Sequence, residues 1–284
     1  MLTVLEALTK STEYLEKKGI ESPRANAEIM LAHILNCKRL QLYLSFDKPL
    51  KKDEQKTYRE FLHRRANREP VQYITQNVEF YGINFEINNS VFIPRQETEI
   101  LVETVLKNID NVNQIEILDI GTGSANISTS LAKNLSNSKI TAIDTSNSAL
   151  DLAQRNSNNN SVDEQIIFSN YDILNSENNF SKQFDIIVSN PPYISKEDFN
   201  KLEPELNKFE PSIALTDFSD GFNFYHIICQ KSKDLLKNNG KLFLELGLGQ
   251  FDKVKDIMEE NKFENINFVN DYQNIKRVIW GNLL

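Results

Sequence analysis

The sequence predicts an α/β protein, in which a mostly parallel sheet crossed by helices follows a small helical domain. From about residue 114, apolar runs alternate with amphipathic segments, a pattern typical of parallel strands joined by helices. The chain before about residue 70 carries apolar side chains at helical spacing instead. The length of 284 residues leaves room for about two domains.

The first part of the chain is predicted to be helical throughout. Apolar side chains recur at helical spacing at its start, at Leu2, Leu5 and Leu8. A second helix is expected to start with Ser22 as the N-cap and Pro23 at the first helical position. A third is expected from Asp53 to Arg68, and Pro70 ends this part.

Residues 78–87 predict two short strands about a turn near Gly82, so a hairpin joins the two domains. The predicted strands of the sheet are Ile115–Ile120, Ile140–Ile143, Ile166–Phe168, Phe184–Ser189 and Lys241–Leu246. Its clearest helices are Ser128–Leu135, Ala149–Arg155 and Phe222–Leu236. An antiparallel hairpin is expected at one edge, from Ile266–Val269 and Lys276–Trp280. We therefore expect domains at 1–70 and 97–284, with a hairpin linker at 71–96.

Charge is divided unevenly along the chain. Residues 1–70 hold 14 lysines and arginines against 10 acidic residues, whereas the remainder holds 18 against 30. An acidic body repels phosphate backbones, which disfavours broad nucleic-acid binding. The basic residues of the first part, among them Lys51, Lys52, Arg64 and Arg65, are interpreted either as solvated helix faces or as a surface that docks an acidic protein.

Cysteine usage and hydropathy point to the cytoplasm. Cys37 and Cys229 are far apart in the chain and form no C-x-x-C pair, which argues against a disulfide framework and a cysteine zinc site. Glu6 interrupts the apolar start that a signal peptide would need, and no run approaches the roughly 20 apolar residues of a membrane span. We expect a soluble, cytoplasmic protein without a metal.

Glycine is scarce, so its placement is informative. Four of the nine glycines form two G-x-G pairs, Gly121/Gly123 and Gly247/Gly249. The first pair joins a strand to a helix, where backbone N–H groups can approach a ligand. Asn126 stands where a dinucleotide fingerprint needs a third glycine, which argues against NAD or FAD. Asp144 ends the second strand, where a carboxylate suits the hydroxyls of a ribose.

A more specific signal ends the fourth strand, at Asn190-Pro191-Pro192-Tyr193. Two adjacent prolines cannot continue a strand ladder, so this segment is expected to form a rigid loop at the same sheet edge as the first glycine pair. The carbonyl oxygens of Asn190 and Pro191 suit a planar –NH2 group, and Tyr193 offers an aromatic face. The alternative is a purely structural role for this segment, as a proline turn that ends the strand. We favour a site for an amide or an exocyclic amine.

These segments together resemble the release factor glutamine methyltransferase family, whose members are class I enzymes dependent on S-adenosyl-L-methionine. The resemblance rests on Arg68–Tyr73, Phe92–Glu99, Gly121–Ala125, Asn190–Tyr193, and Glu210-Pro211 with Ala214-Leu215 and Asp220-Gly221. Asn-Pro-Pro-Tyr alone is shared with adenine amino-methyltransferases, and the other segments make the family specific. The resemblance implies a Rossmann-like sheet with a small helical N-terminal domain for substrate recognition.

The resemblance also implies roles for individual residues. The methionine part of the cofactor would be lined by Gly121, Thr122, Gly123, Ser124 and Ala125. Asp144 would hold the ribose, and Asp172 with Ile173 would flank the adenine. The substrate would meet Asn190, Pro191, Pro192 and Tyr193, of which Asn190, Pro191 and Tyr193 are the catalytic candidates. Departures from the family pattern are Ala125 for a glycine, Gln96 for a proline, and Thr75-Gln76 for a leucine-glycine.

The family's substrate is the glutamine of the Gly-Gly-Gln segment in peptide chain release factors, and its product is N5-methylglutamine. We expect release factors as partners, with no membrane partner and no nucleic-acid substrate. Two alternatives are an adenine-N6 methyltransferase acting on DNA or RNA, and a non-catalytic adaptor that binds S-adenosyl-L-methionine. The acidity of the larger part disfavours the first, and the intact Asp144, Asn190 and Tyr193 disfavour the second.

Overall fold

The computed structural model describes residues 2–109, 114–174, 180 and 182–284. The chain forms two compact units. One comprises Met1–Asn77 and Glu203–Phe209, and the other comprises Val78–Leu202 and Glu210–Leu284. No feature of the sequence indicates that Glu203–Phe209 belongs to the first unit. The assignment of domains to 1–70, 71–96 and 97–284 remains a proposal.

The elements predicted from the hydrophobic pattern occur in the predicted order. Most are longer than predicted, two strands have the predicted bounds, and two helices are shorter than predicted. The helices are α1 (Val4–Lys17), α2 (Pro23–Ile34), α3 (Arg39–Tyr43), α4 (Lys52–Ala66), α5 (Val71–Thr75), α6 (Gln96–Lys107), α7 (Asn126–Asn134), α8 (Asn147–Asn159), α9 (Lys196–Phe199), α10 (Pro204–Phe209), α11 (Asn223–Leu235) and α12 (Phe251–Glu260). The strands are β1 (Asn77–Phe80), β2 (Ile83–Glu86), β3 (Ile115–Ile120), β4 (Ser138–Asp144), β5 (Ile166–Asn170), β6 (Phe184–Ser189), β7 (Leu236–Glu245), β8 (Phe263–Asn270) and β9 (Lys276–Leu283).

The first unit is a helical bundle around a small apolar core. Its fully buried side chains include Leu8, Leu15, Met30 and Leu31. Tyr58 of α4 reaches into this core, and its hydroxyl lies 2.7 Å from the Ser11 hydroxyl of α1 while donating to a carbonyl of α2 at 3.1 Å. These bonds join α4 to both α1 and α2, and they offset the desolvation of the buried phenol.

The start of α2 differs from its prediction. Ser22 is the N-cap and Pro23 lies at the first helical position, as predicted, but the Ser22 side chain makes no capping hydrogen bond. Ser22 has a left-handed backbone with φ 47°, whereas a capping hydroxyl needs an extended one. The Asn26 side chain instead donates to the carbonyls of Glu21 and Ser22, at 3.0 and 3.1 Å.

Arg65 of α4 contradicts both interpretations of the basic residues. It is only 6% exposed. Its guanidinium donates to Asn26 Oδ1 and to Glu205 Oε1 of α10, each at 2.9 Å. It is therefore neither a solvated face nor available for docking, whereas Lys51 and Lys52 are exposed.

The second unit is built on a seven-stranded sheet of order β5-β4-β3-β6-β7-β9-β8. The first five strands in this order are parallel, and β9 and β8 are antiparallel at one edge, which confirms the predicted closing hairpin. Ile120 pairs with Ile143 on one side and with Ser189 on the other. The carboxyl ends of β3, β4 and β6 are therefore level, so the loops that follow them meet at one edge.

The small hairpin β1–β2 turns where it was predicted to turn. Tyr81 and Gly82 have φ values of 50° and 70°, as in the two-residue turns that match strand twist. Asn156 of α8 holds β2 by exchanging two hydrogen bonds with the backbone of Glu86, at 2.8 and 2.9 Å. The hairpin therefore ends against the helix that follows β4.

Three further observations concern the described part of the chain. Within it, no helix combines the length and apolarity needed to cross a membrane. Cys37 and Cys229 are both free thiols, and Cys229 is buried. The described residues contain no group of three or more histidines, cysteines or acids arranged to hold a metal ion.

Replacing Arg65 by methionine should destabilise the protein. The variant Arg65→Met removes the donor to Asn26 and leaves Glu205 paired with Arg68 alone, at 3.3 Å, and a hydrogen bond to a charged group contributes about 1.5–3 kcal/mol. The measurement is the free energy of unfolding in urea. The control Lys201→Met removes an exposed cation paired with Glu197 and Asp198, and should leave stability unchanged. Equal stability of the two variants would contradict the structural role of Arg65.

Candidate active site

The loop after β3 is tied to the end of β4. Gly121 and Gly123 have φ values of 73° and 55°, a left-handed backbone that glycine adopts without steric cost. The N–H groups of Gly121 and Thr122 both donate to the carbonyl of Ile143 at 2.9 Å. The carbonyl of Ser124 accepts from Asn156 at 3.0 Å. The prediction of unusual dihedrals here is confirmed.

A buried carboxylate supports this loop from beneath. Asp119 is fully buried, and its Oδ2 accepts from the hydroxyls of Thr122 at 2.7 Å and Ser128 at 2.5 Å. Burial, with a smaller contribution from the charge of Asp144, raises the pKa of Asp119 to about 6 against the opposing hydrogen bonds from Ser128 and Thr122. Sequence reasoning gave Asp119 no role, although an aspartate inside the apolar run Leu118–Ile120 is a signal.

Asp144 lies at the end of β4 as predicted, with both oxygens already oriented. Its Oδ2 accepts from the Gly123 N–H and its Oδ1 from the Ser146 N–H, each at 2.9 Å. Each carboxylate oxygen has a second lone pair, so the group can still accept from a ligand. The carboxylate thus links the glycine loop to the end of β4.

Asp172 and Ile173 follow β5, the neighbour of β4. Asp172 is exposed and its Oδ1 accepts from the Leu174 N–H at 2.8 Å, whereas Ile173 is buried in the apolar core. Both residues lie beyond the carboxyl end of a strand adjacent to β4. Their assignment to an adenine remains a prediction.

The loop after β6 is held firmly at its start. The Ser189 hydroxyl donates to the carbonyl of Ile120 at 2.8 Å, which joins the ends of β6 and β3. Asn190 is half-buried, and its Nδ2 donates to Thr98 Oγ1 of α6 at 3.2 Å. Because the carboxamide nitrogen is held by Thr98, Oδ1 is the remaining acceptor of this side chain. Pro191 is buried and Pro192 half-buried, so the loop packs as a rigid turn.

Tyr193 is anchored at both ends. Its hydroxyl donates to Glu245 Oε1 of β7 at 3.3 Å, and its main-chain carbonyl accepts from Gln250 Nε2 at 2.9 Å. Burial raises the pKa of the Tyr193 phenol, and the carboxylate of Glu245 raises it further. With the hydroxyl engaged by Glu245, the ring is the part of Tyr193 that can pack against a ligand.

Gly247, the first residue of the second glycine pair, leaves room for this loop. A Cβ at Gly247 would lie 2.6 Å from Gln250 Oε1 and 2.9 Å from a ring carbon of Tyr193. Gln250 Oε1 accepts from the Gly247 N–H at 2.9 Å. Sequence reasoning singled out the pair without a role. The absence of a side chain at Gly247 lets Gln250 and Tyr193 approach the end of β7.

Two of the segments that carried the resemblance meet in space. Glu210 is buried, its Oε2 accepts from the Ile93 N–H at 3.0 Å, and its Oε1 pairs with the guanidinium of Arg95. That guanidinium lies over the ring of Phe92, 4.7 Å from its centroid. The segment before α6 is therefore fixed by a residue more than a hundred positions later.

Comparison with known proteins finds a family model that matches residues in each of the two units. A family model described as the PrmC N-terminal domain matches residues 6–75, and one described as the methyltransferase small domain matches residues 88–204. A release factor glutamine methyltransferase of Fusobacterium nucleatum is 38% identical over 276 residues, covering 97% of this chain and 77% of the relative. A protein of the same name from Geobacter sulfurreducens is 36% identical over 282 residues, covering 99% and 97%.

The chain belongs to the release factor glutamine methyltransferase family. Members of the family thus match it along nearly its whole length, which confirms the resemblance found in the sequence. A crystal structure of a methyltransferase from Pyrococcus furiosus aligns with a TM-score of 0.52 at 16% identity, over 82% of this chain and 98% of that one. This likeness confirms the predicted class I methyltransferase fold.

Two departures from the family pattern fall at left-handed positions. Ala125, at the N-cap of α7, has φ 61° and is fully buried, and Gln76 after α5 has φ 54°. Both stand where the family commonly has glycine. An L-residue in this conformation costs roughly 1–2 kcal/mol, so both positions store backbone strain.

Glycine at position 125 should be tolerated. In Ala125→Gly, the relief of roughly 1–2 kcal/mol of strain offsets the loss of a buried methyl worth about 0.8 kcal/mol and some unfolded-state entropy. We expect a free energy of unfolding in urea within about 1 kcal/mol of the parent. The control Ala132→Gly, inside α7 and also buried, should lose about 2 kcal/mol. Equal losses would show that Ala125 is unstrained.

Proposed function

We propose that this chain transfers the methyl group of S-adenosyl-L-methionine to the side-chain amide nitrogen of the glutamine in the Gly-Gly-Gln segment of peptide chain release factors. The names of its relatives support the reaction class and the partner. The single observation that carries the chemistry is the orientation of Asn190, whose nitrogen is held by Thr98 at 3.2 Å and whose oxygen is the remaining acceptor. A cytoplasmic location follows from a substrate that acts in translation.

The residues at the sheet edge fit this cofactor. A Cβ at Gly121 or Gly123 would meet nothing within 4 Å, so there is open space beside the loop. Residues 121–125 would line the methionine part, and Asp144, with a free lone pair on each oxygen, would accept from the ribose hydroxyls. Asp172 and Ile173 would flank the adenine. When bound, this cofactor supplies an electrophilic methyl group on a sulfonium.

The chain's own task is to make an amide nitrogen reactive. An amide lone pair is delocalised into its carbonyl, so the nitrogen is a poor nucleophile. Asn190 Oδ1 and the Pro191 carbonyl would each accept a hydrogen bond from one N–H group, which leaves the nitrogen lone pair free for the methyl group. The same two acceptors would stabilise the positive charge that grows on nitrogen as the N–C bond forms and the methyl–sulfur bond breaks, so no strong base is needed first. A neutral thioether would leave, and the nitrogen would release one proton to solvent.

Rigidity of the loop makes these acceptors effective. The prolines fix φ at two successive positions, the Ser189 hydroxyl fixes the start of the loop, and Gln250 fixes its end at the carbonyl of Tyr193. Acceptors held in place before the reaction cost no reorganisation during it, and correct positioning alone can contribute several kcal/mol. Pro192 and the ring of Tyr193 would pack against the flat amide.

Replacing Asn190 by alanine tests the proposed chemistry. Asn190→Ala removes one of two acceptors, so methyl transfer should fall by roughly a hundredfold or more, while cofactor affinity stays within about threefold. The assay follows labelled methyl transfer to a purified release factor, with mass spectrometry to locate the methyl on glutamine. Asn134→Ala, at an exposed asparagine of α7, is the matched control. A normal rate in Asn190→Ala would remove Asn190 from the mechanism.

Asp144 should act on affinity for the cofactor. Asp144→Ala deletes a charged acceptor, and a hydrogen bond to a charged group contributes about 1.5–3 kcal/mol, so the dissociation constant for S-adenosyl-L-methionine should rise at least about tenfold. Isothermal titration calorimetry measures the change. Asp151→Ala, at an exposed residue of α8, controls for loss of a nearby negative charge. Unchanged affinity in Asp144→Ala would refute the ribose assignment.

A further inference from the structure

Gln250, the residue before α12, uses both ends of its side-chain carboxamide. Its Nε2 donates to the main-chain carbonyl of Tyr193 at 2.9 Å and to that of Gly221 at 3.4 Å. Its Oε1 accepts from the Gly247 N–H at 2.9 Å and from the hydroxyl of Tyr225 at 3.1 Å. Each end of the side chain therefore has two partners, which is the full capacity of a carboxamide.

The four partners belong to segments that are separate in sequence. Tyr193 ends the loop after β6, Gly221 precedes α11, Tyr225 lies in α11 and Gly247 follows β7. Tyr193 and Gly221 lie outside any helix or strand, and a side chain supplies the donor to each carbonyl. Gln250 thus holds the end of the Asn190–Tyr193 loop against the turn that precedes α11.

Two glycines leave space for this side chain. A Cβ at Gly221 would lie 2.5 Å from the carbonyl oxygen of Tyr193 and 3.2 Å from Gln250 Nε2. A Cβ at Gly247 would lie 2.6 Å from Gln250 Oε1. Neither position could carry a side chain unless Gln250 or one of its partners moved, so the backbone here is packed around the carboxamide.

The chemistry of the partners fixes the direction of the carboxamide. A peptide N–H can only donate and a carbonyl can only accept, so Oε1 must face Gly247 and Nε2 must face Tyr193. An ionised carboxylate of the same shape has acceptors at both ends, and would place a negative charge against two carbonyl oxygens. The position therefore requires a side chain with a donor at one end and an acceptor at the other.

We infer that Gln250 is a positioning residue for methyl transfer, which sets the position of the Asn190–Tyr193 loop by holding the carbonyl of Tyr193. The inference rests on the proposed function, in which Asn190 Oδ1 and the Pro191 carbonyl accept from the substrate amide. Loss of the bond at Tyr193 lets these acceptors move, and a displacement of about 1 Å can cost about a hundredfold in rate. The glycine loop after β3 is held by other residues, so cofactor affinity should not change.

Two substitutions separate the donor end of Gln250 from its acceptor end. Gln250→Glu keeps the shape and the acceptors, but when ionised it has no donor for Tyr193. Gln250→Met has neither donor nor acceptor. We expect kcat for methyl transfer to a purified release factor to fall at least about tenfold in both, with the cofactor dissociation constant within about threefold of the parent. The control Gln154→Glu changes an exposed glutamine that bonds Ser157 and Asn158 of its own helix, and should keep the parent's kcat.

The pH dependence of Gln250→Glu distinguishes positioning from a loss of packing. A protonated carboxyl group regains an O–H donor for the Tyr193 carbonyl, so the ratio of variant to parent kcat should rise as the pH is lowered. The ratio for Gln250→Met should stay constant, and the parent's own pH dependence cancels in both ratios. The ionisable groups around this position are Asp217, Tyr193, Tyr225, Glu245 and Arg277. A full kcat in Gln250→Glu at every pH, or a ratio that does not rise on acidification, would overturn the inference.

A carbonyl signal tests the contact independently of turnover. The sequence contains two Tyr–Ile pairs, Tyr73-Ile74 and Tyr193-Ile194, so tyrosine labelled with ¹³C at the carbonyl and isoleucine labelled with ¹⁵N give two signals, of which Ile74→Val removes the first. In Gln250→Glu the Tyr193 carbonyl signal should shift with pH, while the Tyr73 signal stays constant. A Tyr193 signal that is identical in the parent and in both Gln250 variants would overturn the inference.

Two measurements on the parent complete the test. The Gly247 N–H, which donates to Gln250 Oε1, should be protected from hydrogen exchange, and rapid exchange there would overturn the inference whether or not the variants fold. A parent that methylates no release factor would overturn the proposed function. An active parent together with a fully active Gln250→Glu would overturn this inference alone.

Discussion

The register of β3 against its two parallel neighbours determines where the site lies. Ile120 pairs with both Ile143 and Ser189, so the chain leaves three adjacent strands at one level. The glycine loop, the carboxylate of Asp144 and the Asn190 loop are consequently brought to one edge by backbone pairing alone. A shift of one residue in any of these strands would turn its side chains to the opposite face and separate the groups.

Buried acids support both loops at this edge. Asp119 accepts from the hydroxyls of Thr122 in the first loop and Ser128 in α7, and Glu245 accepts from Tyr193 of the second loop. Each is enclosed by apolar strand residues, and burial raises the pKa of each well above that of a free carboxyl group. Burying these groups costs stability, but their hydrogen bonds hold the loops, and so the acceptors for a ligand, rigidly in place.

Much of the fold could be predicted because it depends on local periodicity. The apolar runs of β3, β4, β6 and β7 are buried, and Asn190 follows one of these strands as expected. What could not be predicted depends on partners distant in sequence. From the sequence alone Arg65 is interpreted as a surface cation, because its partner Glu205 lies 140 positions later. Thr98 has no distinguishing feature in the sequence, because its partner Asn190 lies 92 positions later. Ser22 shows that a residue type typical of helix caps does not guarantee the backbone geometry of a capping hydrogen bond.

The return of Glu203–Phe209 to the first unit has a consequence for synthesis on the ribosome. The nascent chain completes the helices α1 to α5 long before the residue that neutralises Arg65 emerges. Until then, that guanidinium lacks the carboxylate with which it pairs in the folded chain, so the helical bundle lacks part of its stability. The first unit therefore gains this ion pair only after β3 to β6 have been translated.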